Sequence, residues 1–444
     1  VPYKAPAGAV VMLDHTDNSV IAMASYPTFD NRWFNAGISS ERFGEVFPPV
    51  EDPDLSILVN RAISGRYNLG STFKPFVAYA ALNTGQLPGG VDHRIEDRGR
   101  YRLSEGSVDR SLCDQIRCEF RNATCASTNL PCVYGSVNVI DALAVSSDVF
   151  FYKIGDEIFT ERGGQPILQE QVRLFGFGAR TGIELPYEFS GTVPDAALKA
   201  RLAADGVISE DEGRGYYVGD NIQLAIGQGL LSATPLQLAQ GYAAIANGGS
   251  VYRPQIVEAI LAPGTPDHPT QAGFAHLARA EVLEQRATPD LQRQVDLGNG
   301  IEEAIDEGLA RVITGPGVTS DYYHSTTGER LFRNYPYEEM PIAGKTGTAQ
   351  GLGNQPWNDS SAFAAYSLDP ERPYTVAAYL EKAGYGSRAA APVVKCMFLA
   401  LAERAPMHPV LLSDPLDLTQ PTAALERQLP STSCMAGQYG FVTE

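Results

Sequence analysis

The sequence predicts an α+β fold, and three observations carry that expectation. Strand-like stretches lie at both ends of the chain, the middle reads as helices, and no segment repeats. A sheet must therefore join parts of the chain that are distant in order. With 444 residues, 44% hydrophobic and 19% charged, the chain can bury one large core or two ordinary domains.

The elements follow in order. Residues 8–27 read as a β-hairpin, in which residues 7–14 and 19–25 flank the turn-rich His15-Thr16-Asp17-Asn18. A polar, Pro-containing stretch runs to about residue 59. Gly70-Ser71 then opens a helix whose Phe73, Phe76, Val77, Ala80 and Ala81 have the spacing of one buried face. Pro75 suits a first turn, and Gly85 stands where a helix would stop.

Residues 86–135 form a loop-rich, cysteine-bearing insertion. Residues 138–158 read as two short helices broken at Ser146-Ser147-Asp148, a run of capping residue types. Residues 221–247 are mostly helical, and Ile301, Ile305, Leu309 and Val312 mark another amphipathic helix. The Pro-rich stretch 260–298 has little pattern and is expected at the surface. Strands follow at 341–350, 361–368 and 374–381, the last two joined by Asp369-Pro370-Glu371-Arg372. A helix over 390–404 and a Pro-rich tail, 405–444, complete the chain.

The formal net charge of −18 argues against nucleic acid or an anionic membrane face as partner, since both would repel it. No window is long and apolar enough to span a bilayer, and the sequence opens at Val1, so any anchor is expected to have been cut away. Cys113, Cys118, Cys125 and Cys132 cluster in a polar segment, with Cys396 and Cys434 near the C-terminus. An even count so placed points to disulfides and an oxidising compartment. Zinc is the rival, although the spacings lack close Cys-x-x-Cys knuckles. A Cys396–Cys434 bridge would staple the tail to the domain. The six histidines show no metal spacing such as His-Glu-x-x-His, and no cofactor is expected.

Three short motifs carry chemistry. Ser71-Thr72-Phe73-Lys74 is the only Ser-x-x-Lys in a chain with seven lysines against 27 arginines. Residues three apart share a helix face, so Lys74 can reach the Ser71 hydroxyl. A serine needs a base to become nucleophilic, and a lysine serves only where burial or nearby cations favour its neutral form. Alone, the motif reads as a helix cap beside a solvated lysine. Ser146-Ser147-Asp148, met alone, is an ordinary N-cap. Gly344-Lys345-Thr346-Gly347-Thr348-Ala349-Gln350 is poor core material for a strand. Period two puts Thr346 and Thr348 on one face, and its glycines admit another backbone or a ligand, which argues for a binding edge over a hydrated one.

In this order the motifs match the signature of penicillin-recognising serine enzymes. The chain resembles the transpeptidase domain of class B penicillin-binding proteins along nearly its whole length. Further stretches resemble the family: Asn60-Arg61-Ala62, Thr181-Gly182-Ile183-Glu184-Leu185-Pro186, Ile226-Gly227-Gln228-Gly229, Thr234-Pro235-Leu236-Gln237-Leu238-Ala239 and Ala390-Ala391-Pro392. The resemblance implies an antiparallel sheet flanked by helices, with a mostly helical subdomain. It implies a transpeptidase domain over 1–404 and a tail over 405–444 packed on it. The resemblance also implies a membrane anchor and a pedestal domain, which are expected to have been trimmed from this chain.

The resemblance also implies roles. Ser71 would attack a D-Ala-D-Ala peptide with Lys74 as base, and Ser146, near Lys74 and Lys345, would relay a proton to the leaving D-alanine. The backbone N–H groups of Ser71 and Thr348 would form the oxyanion hole. Thr346, Gly347 and Thr348 would line the substrate strand, the two threonines and Lys345 holding the terminal carboxylate. Stem peptides of peptidoglycan would be the substrates, β-lactams the inhibitors, and a membrane glycan polymerase of the shape or division family the partner. All this would lie on the extracytoplasmic face of the bacterial cytoplasmic membrane.

One position departs from the commoner pattern, with Asp148 in place of Asn. Asparagine both donates and accepts, whereas ionised aspartate only accepts. Asp148 is thus divided between substrate binding and pairing with a lysine. The aspartate and the context of Asn60 resemble elongation-type, rod-shape members more than division-type ones. Asp220, Gln223 and Gln228 lie in a family-like stretch that buried structural hydrogen bonding explains equally well. Three other functions share the acylation step. A serine β-lactamase would need a deacylating base such as Glu-x-x-Leu-Asn, absent here. A β-lactam sensor would need a signalling membrane region, and a D,D-carboxypeptidase would differ only in using water as acceptor.

Overall fold

The structure is a computed structural model that describes residues 5–34, 37–47, 56–103, 113, 118–125, 128–262, 282–285, 289–315, 331–332, 335–351 and 358–402. Strands β1 (Gly8–Asp14) and β2 (Val20–Tyr26) form the expected hairpin. Helices α1 (Ser40–Val46) and α2 (Arg61–Ser64) follow, the second capped by the Asn60 side chain. A 3-10 turn, Gly70–Phe73, leads into α3 (Lys74–Asn83), and Gly85 lies just beyond its end with φ +68°.

The insertion is more regular than its composition predicts. Strand β3 (Ile95–Asp97) pairs with β6 (Gly135–Val137), and β4 (Arg100–Arg102) pairs with β5 (Glu119–Arg121). Strands of three residues are too short to show a period, so sequence reading sees only loop. Its four cysteines are joined as Cys113–Cys118 and Cys125–Cys132, which decides for disulfides over zinc at these positions.

The helical middle comprises α4 (Val139–Val145), α5 (Asp148–Glu161), α6 (Ile167–Arg173), α7 (Ala196–Ala204), α8 (Glu210–Gly213), α9 (Val218–Ala225) and α10 (Pro235–Ala246). Two antiparallel ribbons follow, in which β7 (Ser250–Tyr252) pairs with β10 (Leu291–Gln294) and β8 (Ala259–Leu261) with β9 (Val282–Gln285). Val282 and Leu283 are exposed as expected of the 260–298 stretch, but Val295 and Leu297 at its end are buried in the core, which corrects the expectation there. After α11 (Ile301–Thr314) come β11 (Ile342–Ala349), β12 (Ser360–Ser367), β13 (Tyr374–Leu380) and α12 (Ala390–Leu401). Cys396 is disulfide-bonded. Cys434 and the tail, 405–444, lie outside the described residues.

The chain ends do meet in one sheet, of order β11-β12-β13-β1-β2 and antiparallel throughout. Alternation divides its side chains between two cores. Val11, Leu13, Ala364 and Ala377 join the helical middle, including α3 and α10. Met12, Phe363, Val376 and Ala378 pack with α12. The expectation of one buried face on α3 is corrected, because Ala78 and Tyr79 are buried as well as the predicted positions. A helix at the centre of a bundle is covered on every side.

Candidate active site

The 3-10 turn brings the end of β11 against Ser71. Gly70 lies in the left-handed region at φ +53°, and a Cβ there would fall 2.4 Å from the Thr348 carbonyl oxygen and 3.0 Å from its nitrogen. A Cβ on Gly347 would fall 2.7 Å from the Leu69 oxygen and 3.0 Å from the Thr72 nitrogen. Only glycines allow the two backbones this approach. The turn is fastened by Gly70 N–H to the Gly227 carbonyl (2.9 Å) and by the buried Tyr242 hydroxyl donating to the Thr72 carbonyl (2.8 Å). The backbones of Ser71 and Thr348 are thereby adjacent.

Residues i and i+3 eclipse in a 3-10 turn, so Ser71 and Lys74 share a side. Ser71 is half-buried and Lys74 wholly buried. The Lys74 ammonium donates to the Ser146 carbonyl (2.8 Å), the Ser146 hydroxyl (3.1 Å) and Asp148 Oδ1 (2.6 Å), and lies 5.3 Å from the centre of the Phe151 ring. The expected hydrogen bond from Lys74 to Ser71 is not formed. An ionised carboxylate within reach is the stronger acceptor, and it takes that donor.

The middle motif is the junction between α4 and α5. Ser146 ends α4 in the left-handed region (φ 59°, ψ 41°), and Ser147 caps α5 by accepting from Phe150 N–H at 3.0 Å. Asp148 is the first residue of α5, where the helix dipole favours its negative charge.

Burial holds the Lys74 amine below the ordinary lysine range, opposed by the charge and hydrogen bond of Asp148 and the charge of Asp97. Lys345 pairs across the ladder with Ala364 and so shares its face towards the helical core, while Thr346 and Thr348 take the opposite face. Burial, then the charge of Lys74, hold Lys345 well below its ordinary value, with Asp148 opposing. Its ammonium donates to the Thr346 carbonyl (3.2 Å). β11 is the edge strand of its sheet, yet Lys345 is fully buried because the Ser71 turn covers that edge. Gln228 links the two by donating to the Thr348 carbonyl (2.9 Å).

The structure thus places Ser71, Lys74, Ser146, Asp148 and β11 around one site. Sequence reading missed Tyr242, which looks like one more apolar helix residue, and Asp97, which looks like loop polarity. Gln228 sat in a family-like stretch but carried no sign of its target.

A profile of the penicillin binding protein transpeptidase domain matches residues 8–108 and 119–398. The chain belongs to this family. It is 30% identical over 430 residues to peptidoglycan D,D-transpeptidase MrdA of Haemophilus influenzae, covering 93% of this chain and 56% of that protein. To MrdA of Escherichia coli K12 it is 29% identical over 397 residues, covering 85% and 52%. It therefore spans little more than half the length of these relatives. Among solved structures, Pseudomonas aeruginosa PBP2 in complex with WCK 5153 matches with TM-score 0.65 and 26% identity, covering 89% of this chain and 73% of that one. Helicobacter pylori PBP2 in complex with MreC matches with TM-score 0.62 and 25% identity, covering 89% and 60%.

Proposed function

We propose that this chain is the catalytic part of a peptidoglycan D,D-transpeptidase that passes through an acyl-enzyme on Ser71. The observation that carries the reading is the convergence of Ser71, Lys74 and Ser146 with the backbone of Thr348 around one site. Family membership and the names of the MrdA relatives support it.

In this reading the Ser71 hydroxyl oxygen bonds to the carbonyl carbon of a D-Ala-D-Ala peptide, and its proton passes to the neutral Lys74 amine. Burial, which lowers the Lys74 pKa, favours the neutral amine that this step needs. The oxyanion faces the N–H groups of Ser71 and Thr348, in a site where preorganised donors act strongly. The C–N bond then breaks, and the departing D-alanine amine takes a proton through Ser146, whose hydroxyl touches Lys74 at 3.1 Å. An amine of a neighbouring stem peptide attacks the ester by the reverse route. β-Lactams enter as donor mimics and remain on Ser71. Lys345, Thr346, Gly347 and Thr348 form the strand along which the substrate lies. Asp148 is assigned to holding the Lys74 amine in place of contacting substrate.

The same reading takes residues 1–404 as the transpeptidase domain and 405–444 as a tail stapled through Cys396 and Cys434. It places the chain at the extracytoplasmic face of the cytoplasmic membrane, which suits its disulfides. The partner is a glycan polymerase or shape protein. Support comes from the related complexes of PBP2 with MreC and of a peptidoglycan synthase joining polymerisation and crosslinking. Product analysis with D-Ala-D-Ala stem peptides tests the activity: cross-linked peptide should form when an amine acceptor is present. Free D-alanine and trimmed peptide as sole products, with acceptor in excess, would show a carboxypeptidase.

A further inference from the structure

A serine in the left-handed region, as Ser146 is at φ 59°, keeps that conformation only where its surroundings over-determine it. The disulfide-bearing insertion holds Ser147 and Val149, on either side of Asp148. Asp97, on β3, is fully buried and accepts four hydrogen-bond contacts from three groups: Gly99 N–H (2.7 Å), the Ser147 hydroxyl (2.5 Å) and both of its oxygens from the Asn122 amide (2.8 Å each). Asn122 in turn donates to the Cys132 carbonyl (2.8 Å) and accepts from Val149 N–H (2.9 Å).

Two of the four free N–H groups at the start of α5 are therefore satisfied through this cluster, Val149 by Asn122 and Phe150 by Ser147. Asp148 lies between Ser147, bonded to Asp97, and Val149, bonded to Asn122, and Ser146 directly precedes Ser147. The Cys125–Cys132 bond closes the hairpin that carries the Cys132 carbonyl.

We propose that Asp97 and Asn122 are positioning residues for acyl transfer, fixing the turn that presents Ser146 and Asp148 to Lys74. The insertion is then a buttress of the active site and its disulfide part of that buttress. This rests on the reading of Ser71 as the acylated nucleophile. The buried carboxylate also acts through space. Lys74 is faced by Asp148, Ser146 and the Phe151 ring, with Lys345 near enough to feel its charge and Tyr134 near Asp148 and Asp97. Within that set Asp97 favours the ammonium form of Lys74.

Rates of acylation by a fluorescent penicillin, measured across pH, test the proposal. Asp97→Asn sets one amide against another, so acylation should fall roughly tenfold or more through misplacement of the turn. Its acid limb should also move to lower pH, because one charge favouring the Lys74 ammonium is gone. Exchanging the groups, Asp97→Asn with Asn122→Asp, restores a donor facing an acceptor and should recover most of the lost rate. Should these proteins fail to fold, Ser147→Ala removes only the linking hydroxyl and Ser147→Thr keeps it. A slow alanine with a fast threonine supports the proposal, and an alanine at the wild-type rate overturns it. A wild-type protein that takes no label overturns the acyl-transfer reading itself. A labelled wild type, matched in rate and pH limb by Asp97→Asn, overturns only the positioning role.

Discussion

Lys74 Nζ lies 2.6 Å from Asp148 Oδ1, in a site where the lysine side chain has no exposure and the carboxylate retains about a fifth of its own. Burial and ion pairing therefore pull the lysine in opposite directions, and burial is the larger influence. An asparagine in place of Asp148 would leave burial unopposed by a charge at that position.

Asp148→Asn follows from this pairing. Removing the carboxylate lowers the Lys74 pKa further, so the neutral amine persists to lower pH. The acid limb of the acylation profile should move downward in pH, and the protein should lose stability as pH falls through the range in which Lys74 ionises, since it must then do so without its partner. Penicillin acylation rates and urea unfolding across pH measure both effects. An unmoved acid limb would separate Asp148 from the proposed base.

Gly347→Ala tests the close approach of β11 to the Ser71 turn. The added methyl meets backbone at 2.7 Å and 3.0 Å, which only a shift of the strand or the turn can relieve. We expect a loss of about 1–3 kcal/mol in urea unfolding. Acylation should fall in parallel, because the Ser71 and Thr348 N–H groups move apart. A stable variant with normal acylation would show that the two backbones have slack.

Asp306, on α11, accepts a hydrogen bond from the Tyr366 hydroxyl on β12, and burial raises its pKa to about 6 despite that bond. A carboxyl whose folded pKa exceeds its unfolded one binds more protons when folded, so stability falls as pH rises from about 4 to about 6. Asp306→Asn keeps an acceptor for Tyr366 and removes the titration. The difference in unfolding free energy between variant and wild type should grow through that window, to an order of up to 3 kcal/mol. A constant difference would mean that the carboxyl titrates normally.

Local chemistry explains what the sequence made legible. Ser71 and Lys74 stand out because three-residue spacing has one geometric meaning in a helical turn. The strand pattern of residues 342–349 shows through its unusual mixture of lysine, threonine and glycine. The sheet was legible as strands at the two ends of the chain, although the pairing of β1 with β13 is tertiary. The insertion was not, since its ribbons are too short to show a period. Asp97 and Asn122 look like any polar loop until β3 and β5 are paired with their partners. The bond from Lys74 to Asp148 was legible only as one of two options, because only the fold brings the stronger acceptor within reach of Lys74.

The most direct test of the account is mass analysis of the protein after reaction with a penicillin, first intact and then as peptides. A single adduct on the peptide that contains Ser71, absent from Ser71→Ala, is the predicted result. An adduct on another peptide, or one that survives in Ser71→Ala, would contradict it.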